Sequence, residues 1–233
     1  MNMVSAVIVA AGKGARMGAN TDKLFLEAAG RPIIAHTWAA FDGFPAISEI
    51  ILVVRGGMEP EFQKLAATFQ FRKPFRFATG GAERQHSVWN GIEQVAPEAE
   101  IIAVHDGARP CVTGAIIHET IAAARRTGAA VAAQKVNDTL KEADAGRIIQ
   151  RNVDRTNLWS VQTPQVFGAE IIRRALSEAF GRGLLLTDDT AACELIAQPV
   201  ELVPSATPNP KATSPADLPF LNWLLRQRLS SAA

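Results

Sequence analysis

The chain has 233 residues, a length that suits one α/β domain with a full core and leaves little for a second. Hydrophobic residues make up 48% and charged residues 20%, and the formal net charge of +1 supplies no long-range field to gather nucleic acid. No apolar stretch approaches the roughly 20 residues of a membrane span, so small-molecule chemistry away from nucleic acid and membranes, in the cytoplasm, is the expectation.

Val4, Ala6, Val7, Ile8, Val9 and Ala10 form an apolar run bounded by glycine, the pattern of a strand buried on both faces. The run is about eight residues long, lacks a basic leader and does not read as a signal peptide. The next residues, Ala11 to Lys23, change the signal. Gly12, Gly14 and Gly18 permit tight turns and close backbone approach, while Lys13, Arg16 and Lys23 place cations in the same loop. Such a loop suits a polyphosphate; a strand followed by a surface turn is the plainer reading. The dinucleotide fingerprint fails because Met17 stands where its last glycine belongs, and no Gly-Lys-Ser/Thr completes a Walker A loop. Cations inside the loop fit a site that neutralises a triphosphate while bonds to phosphorus change.

Arg31 and Pro32, followed by Ile33, Ile34, Thr37, Trp38 and Phe41, predict a helix with proline in its first turn. Residues 49–54 read as a second buried strand, 59–69 as an amphipathic helix, and 75–78 as a short strand ending at Gly80 and Gly81. This alternation implies parallel pairing with crossover helices, and ligands bind at the strand ends of such folds. The stretch GGAERQHS repeats the order of strand, glycine pair and helix, with Val88, Ile92 and Val95 as the buried stripe. Paired glycines admit a flat ligand, and Ser87 could offer its hydroxyl or amide to a base edge; a simple turn before a helix is the alternative. His86 reads as a packing or surface residue.

Residues 101–104 form the next strand and run into His105-Asp106-Gly107-Ala108-Arg109-Pro110. A carboxylate at the end of a parallel strand, Asp106, suits Mg²⁺, although such an aspartate also serves as a turn cap. Arg109 stands near enough for forked contacts to a phosphate. A helix over 113–126 capped by Thr113 and a small-residue strand over 129–136 follow. Residues 137–157 read as a polar β-hairpin arm that projects from the domain and packs on a second subunit. The arm carries Thr139, Lys141, Arg151 and Arg155 as candidates for binding an anion. Residues 158–167 return to the core, 168–180 are helical, and the glycine-bearing linker before Thr187 reads as mobile. Thr187, Asp188 and Asp189 cap a helix over 190–196, and 200–203 read as a late strand. The closing helix has Pro215 in its first turn and Leu218, Leu221, Leu224 and Leu225 inward. Cys111 and Cys193 lie far apart, without metal-ligand spacing, and read as buried thiols.

Taken together, AAGKGARMG with Lys23, GGAERQHSV, VHDGARP, NDTLK, DRTNLWSVQTPQ, TDD and Lys211 resemble the 2-C-methyl-D-erythritol 4-phosphate cytidylyltransferase family over nearly the whole chain. The resemblance implies a single Rossmann-like domain over residues 1–233, with a mostly parallel mixed sheet flanked by helices and an arm at 137–157 that builds a homodimer. It implies transfer of CMP from CTP to a sugar-alcohol phosphate with release of pyrophosphate. Arg16 and Lys23 would then stabilise the transition state, with Ala10, Ala11, Gly12 and Gly14 giving backbone contacts to the nucleotide. Gly81, Ala82, Ser87 and Gly107 would hold cytosine and ribose, and Asp106 would hold Mg²⁺. The acceptor would meet Asp106, Arg109, Thr139, Arg155, Thr163, Thr187 and Lys211, with Lys211 also catalytic and some of these coming from the partner's arm. The chain departs from the family pattern at Pro210 and Ala212, which flank Lys211 in place of β-branched residues, and at Gly107, where alanine is common. The nearest rival is a sibling cytidylyltransferase acting on ribitol 5-phosphate. A molybdenum-cofactor guanylyltransferase shares the loop pattern but not DRTNLWSVQTPQ, and a non-catalytic CTP-sensing module is the rival of a different class.

Overall fold

The computed structural model describes residues 3–12 and 22–231. Lys13, Gly14, Arg16 and Gly18 of the glycine loop lie outside the described residues. The central strand, β1 (Met3–Val9), alternates its side chains between two cores: Val4, Ala6 and Ile8 serve one face of the sheet and Val7 the other. Two short strands, β2 (Glu27–Ala28) and β3 (Arg31–Pro32), form a small separate ribbon. The main sheet continues with β4 (Ile47–Val54), β5 (Phe75–Thr79), β6 (Ala99–Asp106) and β7 (Ala129–Lys135). After the arm strands β8 (Leu140–Ala143) and β9 (Ile149–Val153), it is completed by β10 (Trp159–Gly168) and β11 (Glu201–Pro204). Its seven strands run in the order β11-β7-β10-β6-β1-β4-β5. All neighbours are parallel except β10, which is antiparallel to both β6 and β7.

Helices α1 (Ile33–Asp42), α2 (Glu59–Phe69), α4 (Gly114–Thr127) and α7 (Leu218–Ser231) cover one face. Helices α3 (Arg84–Glu93), α5 (Ala169–Gly181) and α6 (Asp189–Leu195) cover the other. This is a mostly parallel α/β sheet sandwiched by helices, as the alternating pattern predicts. Trp38, Phe41 and Phe62 are fully enclosed in the first core, with Trp38 stacked on Phe71. Cys111 and Cys193 are buried thiols, and burial raises them to about 11 and about 12.

Two local expectations change. Pro32 is not in the first turn of α1 but caps it from β3, because the chain first reverses through Ala29 and Gly30, both at positive φ. Ala29 tolerates φ of 50° because Asn222 of α7 accepts its backbone N–H at 2.7 Å. Pro215 likewise begins a separate 3-10 turn, Pro215–Asp217, capped by Ser214 ahead of α7. The hairpin of β8 and β9 stands apart from the main sheet, as the polar pattern predicts, with Ile148 and Ile149 exposed near its tip. Among the described residues, no helix is long and apolar enough to cross a membrane.

Candidate active site

The carboxyl ends of β1 and β6 lie side by side, with Val9 paired to Asp106, so the chain that leaves each strand shares one rim of the sheet. Thr163 of β10 joins them: its Oγ1 accepts the Asp106 backbone N–H at 3.1 Å, and its carbonyl accepts Asn209 Nδ2 at 2.8 Å. His105 is wholly buried beneath this rim, with Nε2 3.2 Å from the Arg109 carbonyl and Nδ1 3.0 Å from Thr163 Oγ1. A carbonyl only accepts, so Nε2 carries the proton and Nδ1 accepts from the threonine hydroxyl. Burial lowers the imidazole to about 4, so it stays neutral at physiological pH.

Asp106 is the hub. Arg84 Nε lies 3.3 Å from Oδ1, while Lys211 Nζ at 2.8 Å and Arg109 Nε at 3.6 Å face Oδ2. Burial alone would raise this carboxyl, but Arg84, Lys211 and Arg109 overcome it and hold it well below the usual carboxylate range. Arg84 also bonds Asp189 Oδ2 at 2.8 Å, and burial pushes Asp189 up despite that arginine. Asp189 Oδ1 is enclosed with no hydrogen-bond partner.

Two cavities open on this hub. One, of about 430 Å³, is walled by Ala10, Ala11, Gly12, Lys23, Gly81, Ala82 and Ser87. The other, of about 440 Å³, is walled by Arg109, Trp159, Thr163, Thr187 and Asp188. Arg84, Asp106 and Lys211 line both. Each is of a size for one small polar ligand, and the shared wall is where groups from the two would meet.

In the first cavity the glycine pair is required sterically. A Cβ on Gly80 would fall 2.2 Å from the Ala11 Cβ, and one on Gly81 would fall 2.3 Å from the His86 Cβ. The two loops therefore touch, and Gly81 N–H donates to Ser87 Oγ at 3.0 Å. Ser87 in turn donates to the Glu83 carbonyl, so its hydroxyl shapes the loop instead of standing open for a base edge. His86 closes a capping box with Glu83 and stacks on Phe180, a packing role as expected. Gly107 lines neither cavity. Its N–H donates to the Val9 carbonyl and its own carbonyl accepts Thr37 Oγ1, while an alanine Cβ would come 2.9 Å from Ile34 Cδ1 and 3.1 Å from Val9 O.

Lys211 is held more firmly than its flanking residues suggest. Ala212 is fully buried, its N–H donates to the Ala108 carbonyl at 2.8 Å, and its carbonyl accepts Lys23 Nζ at 2.9 Å. The small side chain lets this backbone sit directly against the Asp106 turn. Arg109 is largely buried and donates to the Asn209 carbonyl at 2.8 Å, so it also fastens the segment that carries Lys211.

Within one chain the arm residues do not join this centre. Thr139 and Arg155 line a separate concavity at the base of the arm with Asn152, Asp154 and Thr156, and Arg155 donates to the Asn137 carbonyl. Arg151 pairs with Glu142 and Lys141 bonds Asn152, both on the arm itself.

Sequence reasoning overlooked Arg84, His105, Gln165 and Asp189. Gln165 joins the strand to the next helix, donating to Asp188 Oδ2 and accepting the Asp189 N–H. One signal for Arg84 was present: an arginine at the start of a helix opposes the helix dipole, and here two carboxylates compensate it. His105 ends an apolar strand and reads as core, Asp189 reads as a helix cap, and Gln165 lies in a strand; none of these local readings shows the partners that the fold brings to them.

Asp106 is the carboxylate expected to hold Mg²⁺, and here its two oxygens face Arg84, Lys211 and Arg109. Among the described residues no group of three or more His, Cys, Asp or Glu could hold a metal by itself. A lone carboxylate suits Mg²⁺, which draws most of its ligands from phosphate and water oxygens.

Known proteins resemble this chain in sequence and in fold. The family described as IspD, 2-C-methyl-D-erythritol 4-phosphate cytidylyltransferase, matches residues 4–227. A 2-C-methyl-D-erythritol 4-phosphate cytidylyltransferase of Caldanaerobacter subterraneus is 44% identical over 226 residues, covering 96% of this chain and 99% of that one. The enzyme of the same name from Geobacillus thermodenitrificans is 41% identical over 225 residues, covering 97% and 98%. The crystal structure of 4-diphosphocytidyl-2C-methyl-D-erythritol synthase from Anaerococcus prevotii superposes with a TM-score of 0.86 at 28% identity, covering 97% and 96%. With a family model over residues 4–227, relatives above 40% identity along nearly the whole chain and a shared fold, the chain belongs to the 2-C-methyl-D-erythritol 4-phosphate cytidylyltransferase family.

Proposed function

We propose that the chain transfers CMP from CTP to 2-C-methyl-D-erythritol 4-phosphate, with CTP in the cavity walled by Gly81 and Lys23 and the acceptor in the cavity walled by Thr163 and Thr187. The single observation that carries this arrangement is the shared wall of Arg84, Asp106 and Lys211, where an acceptor phosphate meets the α-phosphate of the nucleotide. A phosphate monoester has a second pKa of about 6 and is largely deprotonated near pH 7, so attack needs no general base. The work left to the protein is electrostatic: Lys23, Lys211 and Arg16 gather phosphate oxygens and favour the growing negative charge. Asp106 would share its carboxylate between the cations that face it, Arg84, Lys211 and Arg109, and a bound Mg²⁺, which would supply further neutralisation of the triphosphate. Neutral His105 fits this division of labour, since it orients Thr163 and takes no proton.

The reading includes a homodimer in which the partner's arm brings Thr139 and Arg155 to the acceptor, and a cytoplasmic setting where CTP is made. Supporting the arm's role, its Ile148 and Ile149 stay 64% and 62% exposed, and Thr139 and Arg155 lie outside their own chain's two cavities. The test is CTP- and Mg²⁺-dependent pyrophosphate release with methylerythritol 4-phosphate and ribitol 5-phosphate run side by side. Release with the first alone is expected. Release only with ribitol phosphate would reassign the acceptor cavity, and release with neither would leave a nucleotide-sensing module as the better reading.

A further inference from the structure

The first two residues of α3 reach beyond the cavity that their own loop lines: Arg84 walls both cavities, and Gln85 walls neither. Gly81, Ala82 and Glu83 wall the nucleotide cavity, and Arg84 and Gln85 follow at once. Arg84 reaches across to Asp189. Gln85 is 5% exposed, lines neither cavity, and clasps the linker between α5 and α6 with both ends of its amide. Its Nε2 donates to the Leu184 carbonyl at 2.9 Å and its Oε1 accepts the Leu186 N–H at 2.7 Å.

Besides this clasp the linker is held by the Leu184 N–H on the Ala179 carbonyl at 3.0 Å and by Leu186 against the second core. Residues 181–185 and Thr187 are exposed, with Leu185 at 74%, yet the linker delivers Thr187 and Asp188 to the acceptor cavity. The helix behind Gln85 is anchored by Val88 and Ile92 in the second core, so the glutamine is a fixed post and the linker is the adjustable part. The loop ahead of Gln85 is tied by two bonds beside the nucleotide cavity, Gly80 N–H to the Val54 carbonyl and Gly81 N–H to Ser87 Oγ.

We infer that Gln85 is a positioning residue for the acceptor: its amide fastens the 184–188 linker to the nucleotide loop, so that filling the nucleotide cavity sets Thr187 in place before the acceptor binds. The inference rests on the assignment of the two cavities given above. Losing two neutral hydrogen bonds in a linker that walls one cavity weakens binding there, while Gly81 and Ser87 of the nucleotide cavity keep their own bonds.

The experiment has two arms. In the wild type, amide hydrogen exchange is followed with and without CTP and Mg²⁺, in the absence of acceptor. Exchange across 184–187 is expected to slow by about threefold or more when CTP is added. Unchanged exchange there, with slowed exchange at 80–83, would overturn the coupling. In the second arm, Gln85→Met keeps the length of the side chain and removes both bonds. We expect the acceptor KM to rise about tenfold, with kcat and the Kd for CTP each within about twofold, and CTP no longer to slow exchange at 184–187. A merely structural role would lower the melting temperature and leave the acceptor KM unchanged, and that result would overturn the inference. Gln85→Glu, which keeps the acceptor for Leu186 but loses the donor to Leu184, should fall between the two. The exchange arm needs no variant and no turnover, so it stands if Gln85→Met fails to fold. If methylerythritol phosphate proves not to be the acceptor, the assignment of substrate fails while the exchange arm still decides the coupling.

Discussion

The Asp106 centre and the 137–157 arm use the same kinds of side chain in opposite surroundings. On the arm, Arg151 and Glu142 approach to 2.5 Å with 66% and 52% of their side chains exposed. At the centre, Arg84, Arg109 and Lys211 converge on an aspartate whose side chain is 10% exposed, at longer distances of 2.8 to 3.6 Å. The shorter pair is the weaker one. Water screens the arm pair, so it contributes little to the fold of one chain, whereas each charge at the centre depends on the others to stay buried. Distance alone therefore does not rank these interactions; burial does. The arm's Arg151 and Lys141 are held by exposed, water-screened partners on the arm itself, and the centre trades stability for a preformed field.

Removing the hub should have the largest effect. Asp106→Ala leaves three cations without their shared carboxylate, and we expect a loss of about 3–5 kcal/mol, read from the urea midpoint of unfolding. An unchanged midpoint would mean that the three cations find water instead, and that the centre resembles the arm.

Next comes acid sensitivity of the buried histidine. His105 is lowered from 6.5 to about 4 by burial, so between these values the unfolded chain takes up a proton that the folded chain refuses. Stability should therefore fall by roughly 3 kcal/mol as pH drops from 6.5 towards 4, and this component should be missing from His105→Gln. The Asp106 contribution lies lower: its depressed pKa stabilises the fold above about pH 4 and is lost on further acidification. Equal pH slopes in the wild type and His105→Gln would show that His105 is not the group responsible.

The arm gives the smaller effects. For Arg155→Ala we expect the acceptor KM to rise about tenfold with CTP binding retained, the outcome of the proposed delivery of Arg155 to the acceptor by the partner's arm. An unchanged KM would take Arg155 out of the acceptor site. Arg151→Ala should alter stability by less than about 0.5 kcal/mol, measured by thermal melting in dilute protein. A larger loss would place the arm's ion pair among buried interactions.

How much of this is legible in the chain follows the same division. Elements built from local pattern are readable: the apolar runs of β1, β4 and β6, the helix over Glu59–Phe69, the Thr113 cap and the polar hairpin all lie where periodicity puts them. Features set by distant contacts are not. Ala29 takes a left-handed conformation because of Asn222, and nothing near Ala29 announces it. In the site, Asp106 and Lys23 stand out because glycines and strand ends mark them. Arg84, His105 and Asp189 do not, because their meaning lies in which strand end each one faces. Lys211 is the instructive case: Pro210 and Ala212 make the segment look displaced, yet the buried Ala212 backbone is what fixes it, bonded on one side to Ala108 and on the other to Lys23.

The measurement that bears most directly on cytidylyl transfer at this shared wall is turnover of Lys23→Ala and Lys211→Ala, made separately, at saturating CTP, Mg²⁺ and methylerythritol 4-phosphate. Both should fold as the wild type does, by circular dichroism, and each should lose on the order of a hundred- to a thousand-fold in kcat, as expected for deleted donors to a transition-state charge. A loss of less than about tenfold in both would contradict the account, since the lysine of the nucleotide cavity and the lysine of the shared wall would then be bystanders to the reaction.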